Sequence, residues 1–142
     1  MIVYIGSPID TSLGSPQEQF EELGNAVIEA DPNVLVFNPL TAFMNAVNIG
    51  FGKRSCAYVE AINYQALSNA DIGVFVWNSS PSFGVPLEIH WCQKLRKPAI
   101  VWVKSKTGIY LINALDPIGV MVESRQDLVE AVRMKAKEFK EI

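Results

Sequence analysis

The stretch SNADIGVFVWNSSPSFGVPLEIHW, residues 68–91, shows how this chain is organised. Its apolar run at residues 72–77 predicts a buried strand, and the polar residues that follow predict a loop. Gly84 offers a hinge, and Pro86 suits the first turn of a helix, where a missing N–H leaves no hydrogen bond unmade. Glu88 follows two residues later. A strand, a polar loop and a helix N-terminus in this order predict an anion site whose single carboxylate is a candidate nucleophile or base.

Strand-like and helix-like patterns alternate along the rest of the chain. Strands are predicted at residues 2–5, 34–37, 72–77 and 99–103 and around Val120, and helices are predicted from Ser15, at residues 55–67, from Pro86 and from Ser124. Ser15-Pro-Gln-Glu18 has the form of a capping box, and Ser124 is placed to cap the last helix. Residues 40–54 predict a loop with at most one helical turn, and residues 109–115 predict a short helix. The alternation predicts a single α/β domain, residues 1–142, with a largely parallel sheet.

Composition favours a small cytoplasmic enzyme that assembles with copies of itself. Hydrophobic residues make up 49% of the 142 and charged residues 19%, so apolar surface is expected between subunits. The net charge of −3 argues against nucleic acid and membrane partners. Cys56 and Cys92 form no CxxC pair or secreted disulfide framework, and the chain opens on no secretory leader. One histidine and two scattered cysteines predict no metal site, and no cofactor is expected.

Three polar loops follow predicted strands, at residues 6–15, 38–54 and 78–84. Ligands of an open parallel sheet bind beyond the carboxyl ends of its strands. The three loops are therefore expected to meet around one pocket at one edge of the sheet.

Five motifs resemble those of one enzyme family. They are YIGSPI at residues 4–9, FNP at 37–39, NYQALSNAD at 63–71, SPSFGVPLE at 80–88 and KPAIV at 97–101. In this order they resemble the nucleoside 2-deoxyribosyltransferases and the related nucleoside 5′-monophosphate N-glycosidases. The resemblance implies a flavodoxin-like (Rossmann-like) five-stranded, mostly parallel sheet with helices on both faces. It also implies a small-molecule nucleoside or nucleotide substrate and a covalent glycosyl-enzyme.

The resemblance assigns roles to residues at the ends of the first and third strands. It implies that Glu88 attacks the anomeric carbon, as in retaining glycosidases, and a helix N-terminus would favour its ionised form. An acid at this position could also serve only to complement the helix dipole. Tyr4 matches a tyrosine that orients the nucleophile, although it could equally be a core aromatic. Gly6 would allow close approach of a ligand, and Ser7 and Asp10 could contact sugar or base.

Further positions match substrate-binding residues of the two relatives. Ser82 and Gly84 match a 5′-phosphate site, although Ser82 also suits an ordinary turn. Asn113 resembles the asparagine that transferases lend to the neighbouring subunit's sugar hydroxyl, so phosphate specificity stays open. Phe43 could stack on a base or pack in the core. Trp91, with Trp77 and Trp102, is interpreted as a core or interface residue.

Asn63 departs from the family pattern. The family carries an aspartate there, eight residues before Asp71, as the proton donor to the leaving base. An amide cannot deliver that proton, so Glu60, one helical turn earlier, or Asp10 is a candidate substitute, unless Asn63 only hydrogen-bonds the base. Asp71 itself is interpreted as structural.

Hydrolysis is the first expectation for the reaction, followed by deoxyribosyl transfer between bases. A cytokinin-activating type of phosphoribohydrolase also uses a glycine-rich loop before a glutamate, but this chain lacks its Gly-Gly-x-Gly-Thr loop. A catalytically silent nucleotide-binding or sensor protein would be consistent with Asn63. Base release distinguishes such a protein from the enzymes.

Overall fold

Five parallel strands form one sheet in the order β2-β1-β3-β4-β5. The structure is a computed structural model that describes residues 1–8, 15–41, 54–78, 84–106, 108 and 119–141, without the side chains of 54–58. The strands are β1 (Ile2–Gly6), β2 (Leu35–Phe37), β3 (Ile72–Trp77), β4 (Ala99–Val103) and β5 (Gly119–Val122). β3 and β4 are buried at every position, which matches the unbroken apolar runs that a central parallel strand needs. The predicted five-stranded parallel architecture is confirmed.

In the described part of the chain, four long helices cover both faces of this sheet. They are α1 (Pro16–Ala30), α2 (Arg54–Asn69), α3 (Gly84–Lys94) and α4 (Arg125–Lys140). On one face α1 and α4 pack against Val3 and Ile5, and on the other α2 and α3 pack against Tyr4 and Phe75. The alternation of side chains along β1 produces this division, because successive residues of a strand point to opposite faces.

The sequence predicted the start of one helix correctly and the starts of two others only in part. Ser124 caps α4, its Oγ accepting a hydrogen bond from the Asp127 N–H at 3.1 Å, as predicted. Ser15 occupies the corresponding position of α1, but its side chain makes no capping hydrogen bond, so the predicted capping box is wrong. α3 begins at Gly84 rather than at Pro86, because a glycine can occupy the first helical position. Glu88 therefore lies beyond the first turn of its helix.

Other boundaries shift by one or two residues. The predictions at 72–77 and 99–103 are correct to the residue, β2 begins one residue later than predicted, and α2 runs on to Asn69. Residues 39–41 are helical, while nearly all of 40–54 and all of 109–115 lie outside the described residues. Within the described ranges, every helix is too short or too polar to span a bilayer.

Candidate active site

Tyr4 lies in the middle of β1, on the face of the sheet that α2 and α3 cover. Its ring is fully buried, stacked on Phe37 at 5.6 Å between centroids and tilted against Phe75 at 6.2 Å. Its hydroxyl is buried without a hydrogen-bond partner. Burial, together with the nearby charge of Glu88, holds the pKa of Tyr4 well above its usual range. Tyr4 is thus a core aromatic whose hydroxyl lies near Glu88. Packing in the core is therefore compatible with a role in orienting the nucleophile.

Gly6, two residues further along β1, makes room for the carboxyl group of Glu88. A Cβ at this position would stand 2.5 Å from Glu88 Oε2 and 2.6 Å from Cδ1 of Phe75. Both separations are too short for real atoms, so a larger residue would displace the carboxyl group. Glycine is required here by this close approach of a side chain.

Glu88 projects from the second turn of α3 towards the end of β1. Its Oε2 is enclosed, and no residue in the described ranges gives it a hydrogen bond. Burial raises the pKa of Glu88 to about 8, while the nearby Tyr4 hydroxyl lowers it by a smaller amount. Burial thus opposes the ionised form of Glu88 that a helix N-terminus was expected to favour, and the influence of the dipole weakens beyond the first turn.

A cavity of about 250 Å³ opens between α2 and α3. Its lining residues are Val59, Glu60, Asn63, Gly84, Leu87, Glu88 and Trp91. Among the residues that the structure describes, Glu60, Asn63 and Glu88 supply the ionisable or amide side chains of this lining and the others are mostly apolar, as in small-molecule sites. The structure brings these three predicted residues and Gly84 together around one cavity.

The two polar residues from α2 differ in environment. Glu60 is exposed, whereas Asn63 is partly buried and its Oδ1 is enclosed without a partner. Their spacing of three residues places both on one helix face, as predicted. Unpartnered buried polar atoms are uncommon and cost about 1–3 kcal/mol each. Tyr4, Asn63 and Glu88 each carry one, and all three belong to elements that meet at this site.

Leu87 and Trp91 were not predicted to belong to the site. Trp91 lines the cavity and makes an edge-on contact with Tyr64, 5.2 Å between centroids and 86° between planes. Residues 84, 87, 88 and 91 follow the i, i+3, i+4, i+7 spacing of one helix face. That spacing, counted from Gly84, is the signal that could have identified both residues.

Of the remaining residues singled out in the sequence, Ser7 and Asp71 are described by the structure and four others are not. Ser7 is 5% exposed, directly after β1, and its Oγ has no partner. Asp71 Oδ2 accepts a hydrogen bond from the Ile2 N–H at 2.6 Å, which joins the start of β3 to the start of β1 and supports a structural role. Four further site residues, Asp10, Phe43, Ser82 and Asn113, lie outside the described residues.

Cys92 lies one helical turn beyond Glu88. It is a free, fully buried thiol, and burial raises its pKa to about 12. The part of the chain that the structure describes contains no group of three or more His, Cys, Asp or Glu side chains placed to hold a metal ion.

Solved structures share this fold. A conserved protein from Enterococcus faecalis superposes with a TM-score of 0.69 at 14% identity, over 95% of this chain and 98% of that chain. A 2-deoxyribosyltransferase from Bacillus psychrosaccharolyticus gives 0.67 at 19% identity, over 91% and 90%. The CMP N-glycosidase BcmB from Clostridium botulinum gives 0.59 at 15% identity, over 95% and 99%. No protein-family model and no curated protein matches the sequence. At these identities the comparisons show a common Rossmann-like α/β fold.

Proposed function

We propose that this protein cleaves the N-glycosidic bond of a nucleoside, a deoxynucleoside or a nucleoside 5′-monophosphate, with Glu88 as the nucleophile. One observation carries the proposal: the Glu88 carboxyl group is enclosed beside Tyr4 and Gly6, its Oε2 has no hydrogen-bond partner among the described residues, and Glu88 is one of the residues that line the cavity. The fold adds support, because it also occurs in a 2-deoxyribosyltransferase and a CMP N-glycosidase.

The first step forms a covalent intermediate. A carboxylate oxygen of Glu88 attacks the anomeric carbon, a C–O bond forms, and the C–N bond breaks with its electron pair passing to the base. Positive charge develops on the sugar as the base departs, and a buried carboxylate stabilises such charge more strongly than an exposed one. The attacking form of Glu88 is ionised, so the raised pKa means that the proton must leave before or during substrate binding.

The leaving base needs a proton, and Glu60 is the proposed donor. It lines the same cavity as Glu88 and lies one helical turn from Asn63, whose amide cannot serve as an acid. Its exposure lets it recover a proton from solvent after each cycle.

The second step releases the sugar. Water attacks the anomeric carbon of the glycosyl ester, the C–O bond to Glu88 breaks, and the carboxylate is regenerated. If a second base enters the cavity before water does, its nitrogen attacks instead and the reaction is transfer. The fold shared with the 2-deoxyribosyltransferase favours keeping transfer as the second candidate.

The test is a panel of ribonucleosides, deoxynucleosides and their 5′-monophosphates, with free base measured by chromatography. Release of a base from at least one substrate supports the proposal. Adding a second base separates the two reactions, because only transfer yields a new nucleoside. Binding of a nucleotide without any release would instead indicate a catalytically silent binding protein.

A further inference from the structure

Trp91 and Asn63 line the cavity from two different helices, and the mechanism proposed above gives neither of them a part in bond cleavage. Trp91 belongs to α3, on the same face as Glu88, and Asn63 belongs to α2. The cavity between these two helices is where a leaving group would be held.

Trp91 is fixed in place from outside the cavity. Tyr64, which is not a lining residue, contacts it edge-on at 5.2 Å, a favourable geometry for two aromatic rings. With Val59 and Leu87, the indole makes an apolar surface next to the polar groups. A flat heterocyclic ring suits such a surface, because aromatic contacts add to the gain from burying apolar area.

Asn63 provides the polar counterpart. Its Oδ1 is buried and has no hydrogen-bond partner among the described residues, a cost that a ligand N–H could remove. An amide oxygen only accepts hydrogen bonds, so the complementary group on the ligand must be a donor.

We propose, on the basis of the function proposed above, that Trp91 and Asn63 together select the leaving base. Trp91 contacts the ring, and the Asn63 Oδ1 accepts a hydrogen bond from an exocyclic amino group or a ring N–H. The favoured substrates therefore carry a base with an N–H donor on the edge that faces α2.

Binding of free bases to the wild-type protein tests this selection by calorimetry. Adenine is compared with purine, cytosine with pyrimidin-2-one, and uracil with 3-methyluracil, since each pair differs at one donor. We expect the donor-bearing base of at least one pair to bind about tenfold more tightly, the value of one net hydrogen bond. Equal affinities in every pair, or no binding by any base, would overturn the proposal.

Variants separate the contributions of the two residues. Asn63→Leu should reduce the ratio between the affinities for the donor-bearing and the donor-free base of a pair to near unity. Trp91→Leu should weaken the binding of both bases of a pair by a similar factor, about threefold to tenfold, so the ratio of their affinities should not change. Trp91→Phe keeps an aromatic ring and should bind both bases nearly as tightly as wild type. His90→Leu, next to Trp91 but outside the lining, is the matched control and should change nothing. A preference that survives Asn63→Leu, or affinities unchanged by Trp91→Leu, would contradict the assignment.

The outcome is independent of catalysis. If no nucleoside releases its base but the free bases still bind with the expected preference, the proposed reaction fails and the recognition site stands. If bases are released but the pairs do not differ, the reaction stands and the assignment of Asn63 fails.

Discussion

Glu88 combines two properties that oppose each other in the resting protein. Its carboxyl group is enclosed, which favours the neutral form and raises its pKa to about 8, yet a nucleophile must be ionised. Substrate resolves the conflict if the developing positive charge of the sugar replaces the missing partner of the carboxylate. On the proposed mechanism, the burial that destabilises the free anion would be the source of its reactivity.

This burial predicts a pH-dependent stability. Glu88 keeps its proton up to about pH 8 when folded but only to its ordinary pKa of 4.5 when unfolded, so the folded state binds more protons between these limits. The free energy of unfolding contributed by Glu88 is therefore full below about pH 4.5, falls as the pH rises to 8, and then levels. Urea unfolding across this range should show a loss on the order of a few kcal/mol in wild type relative to Glu88→Gln. Identical pH dependence in both proteins would show that the carboxyl group is solvated.

Gly6→Ala should damage both the fold and the site. The added methyl group would collide with Glu88 Oε2 and the Phe75 ring, so we expect a loss of about 1–3 kcal/mol in unfolding free energy and a large fall in activity. Gly24→Ala is the matched control, because Gly24 lies inside α1 and a Cβ there would meet Ile5 Cδ1 of β1 at 3.7 Å, an ordinary contact distance. It should be neutral or stabilising by up to about 1 kcal/mol. Denaturant melts of both variants measure the difference, and equal effects would contradict the crowding at Gly6.

At the scale of elements, the described part of the site is formed by two helix faces. α2 presents Glu60 and Asn63 to the cavity, and α3 presents Leu87, Glu88 and Trp91. The sequence predicted the α2 pair because spacing alone sets a helix face. It placed the start of α3 too late, since Pro86 gave a stronger local signal than Gly84, and it therefore assigned Glu88 to the first turn.

The shared face of α2 allows a test of the missing proton donor. If Glu60 protonates the leaving base, Glu60→Gln should lower turnover and change the shape of the pH–rate profile. Asn63→Asp should raise turnover by restoring an acid one helical turn away. A profile unchanged in Glu60→Gln would exclude Glu60 and leave Asp10 or water as the donor.

At the scale of the whole molecule, the sequence predicted the sheet but not how deeply the polar groups of the candidate site are buried. The runs of β3 and β4 are buried on both faces, so their apolar composition identified them to the residue. The enclosure of Tyr4, Asn63 and Glu88 depends on how β1, α2 and α3 approach one another, and no local pattern encodes that distance. For the same reason the raised pKa of Glu88 could not be read from its position after a predicted helix start.

Several large apolar side chains are exposed on the single chain. Leu35 and Met134 are 66% and 64% exposed, and Leu87, which lines the cavity, is 38% exposed.

We propose that the working unit is a homo-oligomer in which Asn113 of one subunit completes the site of its neighbour. The Asn113→Ala and Glu88→Ala variants should each be nearly inactive. When the two variants are refolded together, activity should return, because some sites would combine an intact Glu88 from one chain with an intact Asn113 from the other. A monomer in sedimentation, or mixtures no more active than their parents, would show that each site is built from one chain.

The most direct test of the central claim is base release by Glu88→Ala, measured beside wild type on the best substrate of the panel and with the fold checked by circular dichroism. Losing the nucleophile should cost several kcal/mol of activation free energy, hence at least about a thousandfold in turnover. Mass spectrometry of quenched wild type should also find the glycosyl adduct on Glu88 and none on the variant. A folded Glu88→Ala protein that keeps a tenth of wild-type turnover would contradict the role of Glu88 as nucleophile.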